Sequence, residues 1–361
     1  MLKEILRFVT AIVFIASGFV KAADAVGFSF KLEEYFSPAV FNMPFLEKLA
    51  LPIAVIVVAL ELVLGLMLLL KIRLKFAIGA LVALCVFFGF LTFYSAYFNV
   101  VTDCGCFGDA IKFTPWESFW KDIILLVALI ILWFLYKNVR RKNRHWEKTS
   151  STIFAITSLI FAGIIVYGIV QEPMIDFRDY KVGTDMNAEM DKIAMQPSEY
   201  KTYYSLKNKN TGEILEIDQD NYVEKREYWE PGSPWEIQQD KTTSKMVKQG
   251  YTSELIKFSI NETNGNNITQ KILDAPKAVI VFSYAPDKAN TEILAETELK
   301  ASQIKDTLVV GVSTKPGTFS KITDATMDGT AIKTIARSNP FVLTLQNGKI
   351  TGKVPGKNFA N

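Results

Sequence analysis

The chain has 361 residues, half of them hydrophobic, with 40 Lys+Arg, 37 Asp+Glu, one histidine and three cysteines. That length allows two or three domains, and the near-balanced charge, with no basic run in the second half, argues against nucleic-acid binding. His145 alone leaves the apolar runs without an imidazole ligand for haem, and with three thiols it does not make up a zinc site, so no metal is expected.

The apolar residues are unevenly spread. Residues 1–170 are dense in Leu, Ile, Val, Phe and Ala, with 16 Lys+Arg against 11 Asp+Glu; residues 171–361 carry 24 against 26 and read as a water-soluble part. Five apolar runs stand out: Ile5–Ala23, Leu51–Leu70, Leu74–Tyr97, Phe119–Tyr136 and Ile153–Val170. Each has about the 17–25 residues that a spanning helix needs. The first is too long, and too weakly marked at its end, for a cleavable signal. Lys3 and Arg7 precede the first run. Lys71, Arg73 and Lys75 separate the second and third, and Lys137, Arg140, Arg141, Lys142, Arg144 and Lys148 separate the fourth and fifth. These clusters fall on one side if the N-terminus is cytoplasmic. The segment Val26–Leu49, the loop after the third run and everything beyond residue 170 then lie outside, in the periplasm if the membrane is a bacterial inner membrane.

Glu61 lies mid-run in the second span, where a carboxylate is costly unless paired or neutral. Lys21, near the outer end of the first span, has a stem long enough to reach Glu61 or Ser17. The pair reads either as a structural contact between helices or as a proton- or quinone-facing carboxylate. Gly18, Gly65, Gly79 and Gly89 read as close-packing positions.

Between the third and fourth runs lies Thr102-Asp-Cys-Gly-Cys-Phe-Gly-Asp109. Thiols one residue apart are close enough to bond, in an oxidising compartment such a pair forms, and a ring so small is labile. Cys104 and Cys106 therefore read as a redox pair, as a structural disulfide, or less plausibly as part of a metal site. Asp103 and Asp109 count mildly against a strongly nucleophilic thiolate. Pro115, Trp116 and Glu117 suit the entry of the fourth helix. Cys85 is too far along the third run to pair with Cys104 and reads as a small apolar filler.

The motifs Gly18-Phe19-Val20-Lys21, the Glu61…Gly65 spacing and Cys104-Gly-Cys-Phe-Gly108 resemble the DoxX/MauE group of four-helix membrane proteins, over about residues 1–140. The resemblance implies quinone-linked oxidation, or disulfide formation and maturation of extracytoplasmic proteins. It carries Cys104 and Cys106 over as redox candidates and Glu61 and Lys21 as weaker ones, with a quinone as cofactor and an extracytoplasmic thiol protein as partner. The bundle also resembles vitamin K epoxide reductase-type disulfide generators, although their Cys-x-x-Cys is absent here. An alternative is a non-enzymatic, membrane-anchored assembly factor braced by a structural disulfide. Transport or lipid handling has only Glu61 in its favour.

The fifth run reads as an added anchor, and residues 141–172 as basic cytoplasmic loop plus that anchor. Residues 173–249 read as a β-rich lead-in. Within it, Ile175–Gly183 is expected on the membrane surface, and Tyr200–Tyr222 as a hairpin turning at Lys209-Asn-Thr-Gly212. From 250 to 361, strands are expected at Leu255–Ile260, Ala278–Ser283 and Leu308–Val312, helices near 288–305 and 331–336, and a hairpin over Phe341–Val354 turning at Asn347-Gly348. The order β-α-β-α-β-β matches a thioredoxin fold, and this part resembles a thioredoxin-like domain. Ser338-Asn339-Pro340 is similar to that fold's cis-proline segment, so Pro340 is expected to be cis. Tyr284-Ala-Pro-Asp-Lys288 stands where an active thioredoxin has Cys-x-x-Cys, and no cysteine follows residue 106. The domain is therefore expected to dock a partner and not to exchange thiols itself. The fold class expected overall is a multi-pass α-helical membrane bundle, four helices plus a fifth anchoring helix, joined to a soluble α/β thioredoxin-like domain.

Overall fold

The computed structural model describes residues 1–101, 108, 110–111, 113–137 and 144–360, with side chains from 148 onward in the last segment. Cys104, Cys106, Asp103 and Asp109 lie outside the described residues, as do Arg140, Arg141, Lys142 and the side chain of His145.

Among the described residues, five helices are long and apolar enough to cross a membrane: α1 (Leu2–Ala23), α4 (Ala50–Leu70), α5 (Leu74–Phe98), α6 (Pro115–Leu135) and the 148–170 part of α7 (Arg144–Val170). Two short helices, α2 (Ala25–Phe36) and α3 (Pro44–Glu47), fill the segment between the first two spans. Asp24 begins α2 by accepting the Gly27 N–H at 2.8 Å, the side-chain cap expected of Asp before a helix. Thr114 and Glu117 form a capping box that starts α6 at Pro115.

The spans pack through close backbone approach. A Cβ on Gly18 would lie 2.9 Å from the Leu62 side chain, and one on Gly65 3.0 Å from Ile15. Gly79 meets Trp133 at 3.3 Å, whereas Gly89 is in ordinary contact, 3.9 Å from Asp122 Cβ. At the other end of the same helix pair, buried Arg7 donates to the Leu68 and Leu69 carbonyls at 2.7 and 2.5 Å. These are final-turn acceptors with no intrahelical donor, so a cation there satisfies both hydrogen bonding and the helix dipole. Leu68, Ile78, Leu81, Leu129 and Leu132, all essentially inaccessible, form one bundle core. Phe28, Leu32, Val58 and Leu62 form a second, which includes Val101 at the start of the cysteine loop.

The remainder forms two sheets. The first belongs to a separate compact unit, Thr184–Phe258. It contains α8 (Met186–Met195), β1 (Glu199–Asn208), β2 (Ile214–Asp218), α9 (Gln219–Glu224), β3 (Trp235–Ile237) and β4 (Thr243–Lys248). β1 is central, antiparallel to β2 on one side and to β3 and β4 on the other. The expected hairpin is present, with Gly212 at φ +75°. The expected strand at Leu255–Ile260 is instead a single 3-10 turn, Glu254–Lys257, capped by Ser253. Leu255 is fully buried from that turn, so burial without alternation misled the strand reading.

The second sheet belongs to the unit that contains the bundle, residues 1–183 and 259–361. Its elements are β5 (Asn261–Glu262), α10 (Thr269–Leu273), β6 (Ala278–Ser283), α11 (Thr291–Ser302), β7 (Leu308–Ser313), β8 (Thr323–Thr326), α12 (Gly329–Ile335), β9 (Phe341–Gln346), β10 (Lys349–Pro355) and α13 (Gly356–Ala360). The spatial order is β10-β9-β6-β7-β8-β5. β6, β7 and β8 run parallel, and β9 is antiparallel to β6 and β10. The expected order of elements is found with β8 added between β7 and α12. The Asn339–Pro340 peptide is cis, and the β9–β10 turn places Asn347 and Gly348 at positive φ.

Candidate functional site

Three helices bring polar groups together inside the bundle. On α1, Phe14, Ser17, Gly18 and Lys21 recur at helical spacing and face inward. Glu61 is on the buried face of α4, beside Leu62 and Gly65. Lys21 Nζ donates to Ser17 Oγ at 2.7 Å and to Glu61 Oε2 at 2.8 Å, with both ions at or below 3% exposure. The Phe28 and Phe88 rings lie 5.8 and 5.2 Å from the same ammonium. Both contacts within the stem's expected reach are therefore made. The close fit at Gly18 makes this possible, because a side chain there would push Leu62 and Glu61 away.

A second pair escaped the sequence reading. Asp122 on α6 is 4% exposed, with Oδ1 3.0 Å from Lys121 Nζ. Ser118 lies one turn earlier on the same face and is fully buried. Among the described residues, neither Ser118 Oγ nor Asp122 Oδ2 has a hydrogen-bond partner. A cavity of about 10 Å³ is lined by Ser17, Lys21, Glu61, Cys85, Lys121 and Asp122, among others. The signal was in the sequence: Ser118, Asp122, Leu125, Leu129 and Leu132 make a 4-3-4-3 stripe that marks the packed face of α6. Cys85 is buried in the bundle core, as an apolar filler would be, but it also borders this polar cavity.

The residues described on either side of Cys104 and Cys106 are Val101 and Gly108. Val101 is 1% exposed, and its carbonyl accepts from Ser95 Oγ at 3.2 Å. Gly108, at φ +51°, lies against Val20, the residue before Lys21, with 3.1 Å available to a Cβ.

Above the spans, the second sheet is held to the bundle by buried and half-buried ion pairs. Arg337 Nε donates to both Asp24 oxygens at 2.8 Å. Lys333 reaches Glu33 on α2 at 2.7 Å. Arg178 donates to the Ile335 carbonyl at 2.8 Å, to Asp176 at 2.7 and 2.9 Å, and to Glu172 at 2.8 Å, while Lys353 binds Asp176 at 2.5 Å. Burial pushes the Asp24 carboxyl up, but Arg337, Arg178 and the Gly27 N–H outweigh it and hold it below the usual carboxylate range. Asp176 is lowered in the same way against its own burial, by Arg178 and Lys353. Burial and neighbouring Arg178 bring Lys353 down to about 8. The segment Ile175–Gly183, expected on the membrane surface, is thus built into this junction, and Tyr180 is fully buried.

The same junction covers the loop that follows β6, Tyr284-Ala-Pro-Asp-Lys288. Tyr284 meets Phe30 of α2 edge-on at 5.3 Å, and burial raises its phenol to about 12. Asn339 ties the loop down, with its amide donating to the Ala285 carbonyl and its carbonyl accepting from Ser283 Oγ, both at 2.7 Å.

Among the described residues, no group of three or more His, Cys, Asp or Glu side chains is placed to hold a metal ion. Residues 1–135 match the family described as Methylamine utilisation protein MauE. The chain is also similar to Protein TlpB of Flavobacterium psychrophilum, 29% identical over 157 residues, which are 43% of this chain and 42% of that protein. The chain thus aligns with less than half the length of this relative, and no solved structure matches. Five spanning helices and a bundle similar to MauE make this a membrane protein.

Proposed function

We propose that the protein is a bacterial inner-membrane redox or maturation protein whose Cys104–Cys106 pair relays electrons between an extracytoplasmic thiol protein and the membrane quinone pool. Two partner thiols would lose two electrons and two protons to the Cys104–Cys106 disulfide. The reduced pair would in turn give two electrons and two protons to a quinone, leaving a quinol. The observation that carries this reading is the contact of Gly108, two residues after Cys106, with Val20, the neighbour in sequence of the Lys21 that binds Glu61. In the proposed orientation the basic residues between spans, Lys71, Arg73, Lys75 and Lys137 among them, are cytoplasmic. Five alternating spans then put the loop, α2 and the C-terminal sheets on the periplasmic side. We take the second sheet to be a thioredoxin-like domain, from the parallel β6–β7 pair, the β9–β10 hairpin and cis-Pro340.

A second reading has a specific observation in its favour. The Tyr284 face is covered by α2, so the second sheet is placed as a fixed part of the membrane domain. That suits an assembly factor in which the cysteine pair is a brace and partners bind elsewhere.

Thiol trapping in membranes separates the two. The relay requires Cys104 and Cys106 to be recovered in both reduced and oxidised forms as quinone supply is changed. It also requires the double serine variant to lose oxidation of extracytoplasmic thiol proteins. A pair that stays oxidised throughout, with a fully active double variant, refutes the relay.

A further inference from the structure

Asp122 has the properties of a carboxyl that holds a proton inside the membrane. It is 4% exposed and faces α5 at Gly89, while Ser118 on the same face is inaccessible. Among the described residues, the charged groups around Asp122 come from its own and the neighbouring helices. On α6, Lys121 contacts one carboxylate oxygen, and its side chain keeps 20% exposure. On α1, Lys21 is already bound to Ser17 and Glu61. On α4, Glu61 adds a like charge, and on α5 Cys85 adds a neutral thiol. One full cation therefore serves Glu61, and Asp122 shares a partly exposed one. The second oxygen of Asp122 and the Ser118 hydroxyl have no partner among the described residues. An ionised carboxylate in an apolar interior is costly unless every lone pair is satisfied, whereas a protonated one needs far less. The cavity of about 10 Å³ that Asp122 borders has room for about one water.

We propose that Asp122, with Ser118 and this cavity, is a proton-holding site that takes a single water and one exchangeable proton. The proton is bound by the Asp122 carboxylate to give the neutral acid, and it is returned to the cavity water when the acid ionises against Lys121. The site does not depend on whether Cys104 and Cys106 cycle, because it is built from α1, α4, α5 and α6 alone.

The test uses the full chain in lipid vesicles, treated with dicyclohexylcarbodiimide, an apolar reagent that modifies protonated carboxyls. Peptide mass mapping should find the modification on Asp122 and not on ion-paired Glu61. It should decline as the pH is raised, and Asp122→Asn should abolish it. Infrared spectra of wild-type protein carrying heavy-carbon aspartate give a readout that needs no variant: the protonated-carboxyl band should shift with the label. A band that is absent or indifferent to labelled aspartate, or modification of Glu61 in place of Asp122, overturns the assignment.

Discussion

Replacing Arg337 by methionine keeps the length and apolar stem of the side chain and removes only the guanidinium. Asp24 would then be left with the Gly27 N–H, at 2.8 Å, as its remaining short-range partner at the junction of α1, α2 and the second sheet. In the native protein Arg337 meets both Asp24 oxygens at 2.8 Å, with side-chain exposures of 4% and 15%. Breaking one half of a buried pair typically costs about 3–5 kcal/mol, because the other charge stays buried and unpaired. At about 1.4 kcal/mol per tenfold, that is roughly two to three and a half orders of magnitude in the docked population. The loss should be local, since the leucine cores of the bundle lie below the junction. Hydrogen exchange of the α2 and α12 amides should accelerate by that factor, while amides of α4 and α5 hold. Adding Asp24→Asn should return most of the protection, because the second change removes the stranded charge. Exchange in the Arg337→Met protein within tenfold of wild type would refute the idea that this pair holds the sheet to the bundle.

Three further outcomes follow from the same geometry. Lys21→Met should destabilise the bundle by at least about 2.5–3.5 kcal/mol, and Lys21→Met with Glu61→Gln should recover much of it; equal losses in single and double variants, read as detergent-unfolding midpoints, would show that the pair is not coupled. Gly18→Ala should cost about 1–3 kcal/mol in the same assay, because its Cβ would lie 2.9 Å from Leu62 Cγ in a filled core, and wild-type stability would contradict the close fit. For pH, Asp24 and Asp176 have folded values below the usual carboxylate range, so their contribution is fully present above the unfolded value of about 3.9 and is lost as the pH falls through the folded values. Lys353 gives a slope of the same sign in a higher window: its folded value of about 8 lies below the unfolded one, so the unfolded chain binds more protons and stability should rise as the pH goes from about 8 to about 10.4. Thermal melts across both windows check the two slopes.

Long apolar runs are self-sufficient signals, and for that reason the five spans were legible to within a few residues. Turn chemistry was equally local, as at Gly212 and Asn347-Gly348. Lys21 and Glu61 could be paired because each is anomalous in an apolar run. Asp122 was not, because it lies next to Lys121 near the polar start of α6, where a charged dipeptide reads as solvated; only the packing stripe through Ser118 and Leu125 reveals that it faces inward. The buried junction was also hidden. Arg178, Lys353 and Asp24 are ordinary surface residue types, and their burial follows from contacts 150 to more than 300 positions apart, which no local pattern encodes. β8 was missed because Thr323-Asp-Ala-Thr326 has little apolar content of its own and takes its register from β7.

The unit Thr184–Phe258 leaves one framework at Gly183 and returns to it at Ser259. Its departure is fixed by the Gly183 N–H on the Ile350 carbonyl, and its return by the Ile260–Ile268 and Ile260–Thr269 hydrogen bonds. Such an arrangement works like a socket. Those 75 residues can therefore change in length or sequence without altering the hydrogen bonds that hold the two flanks.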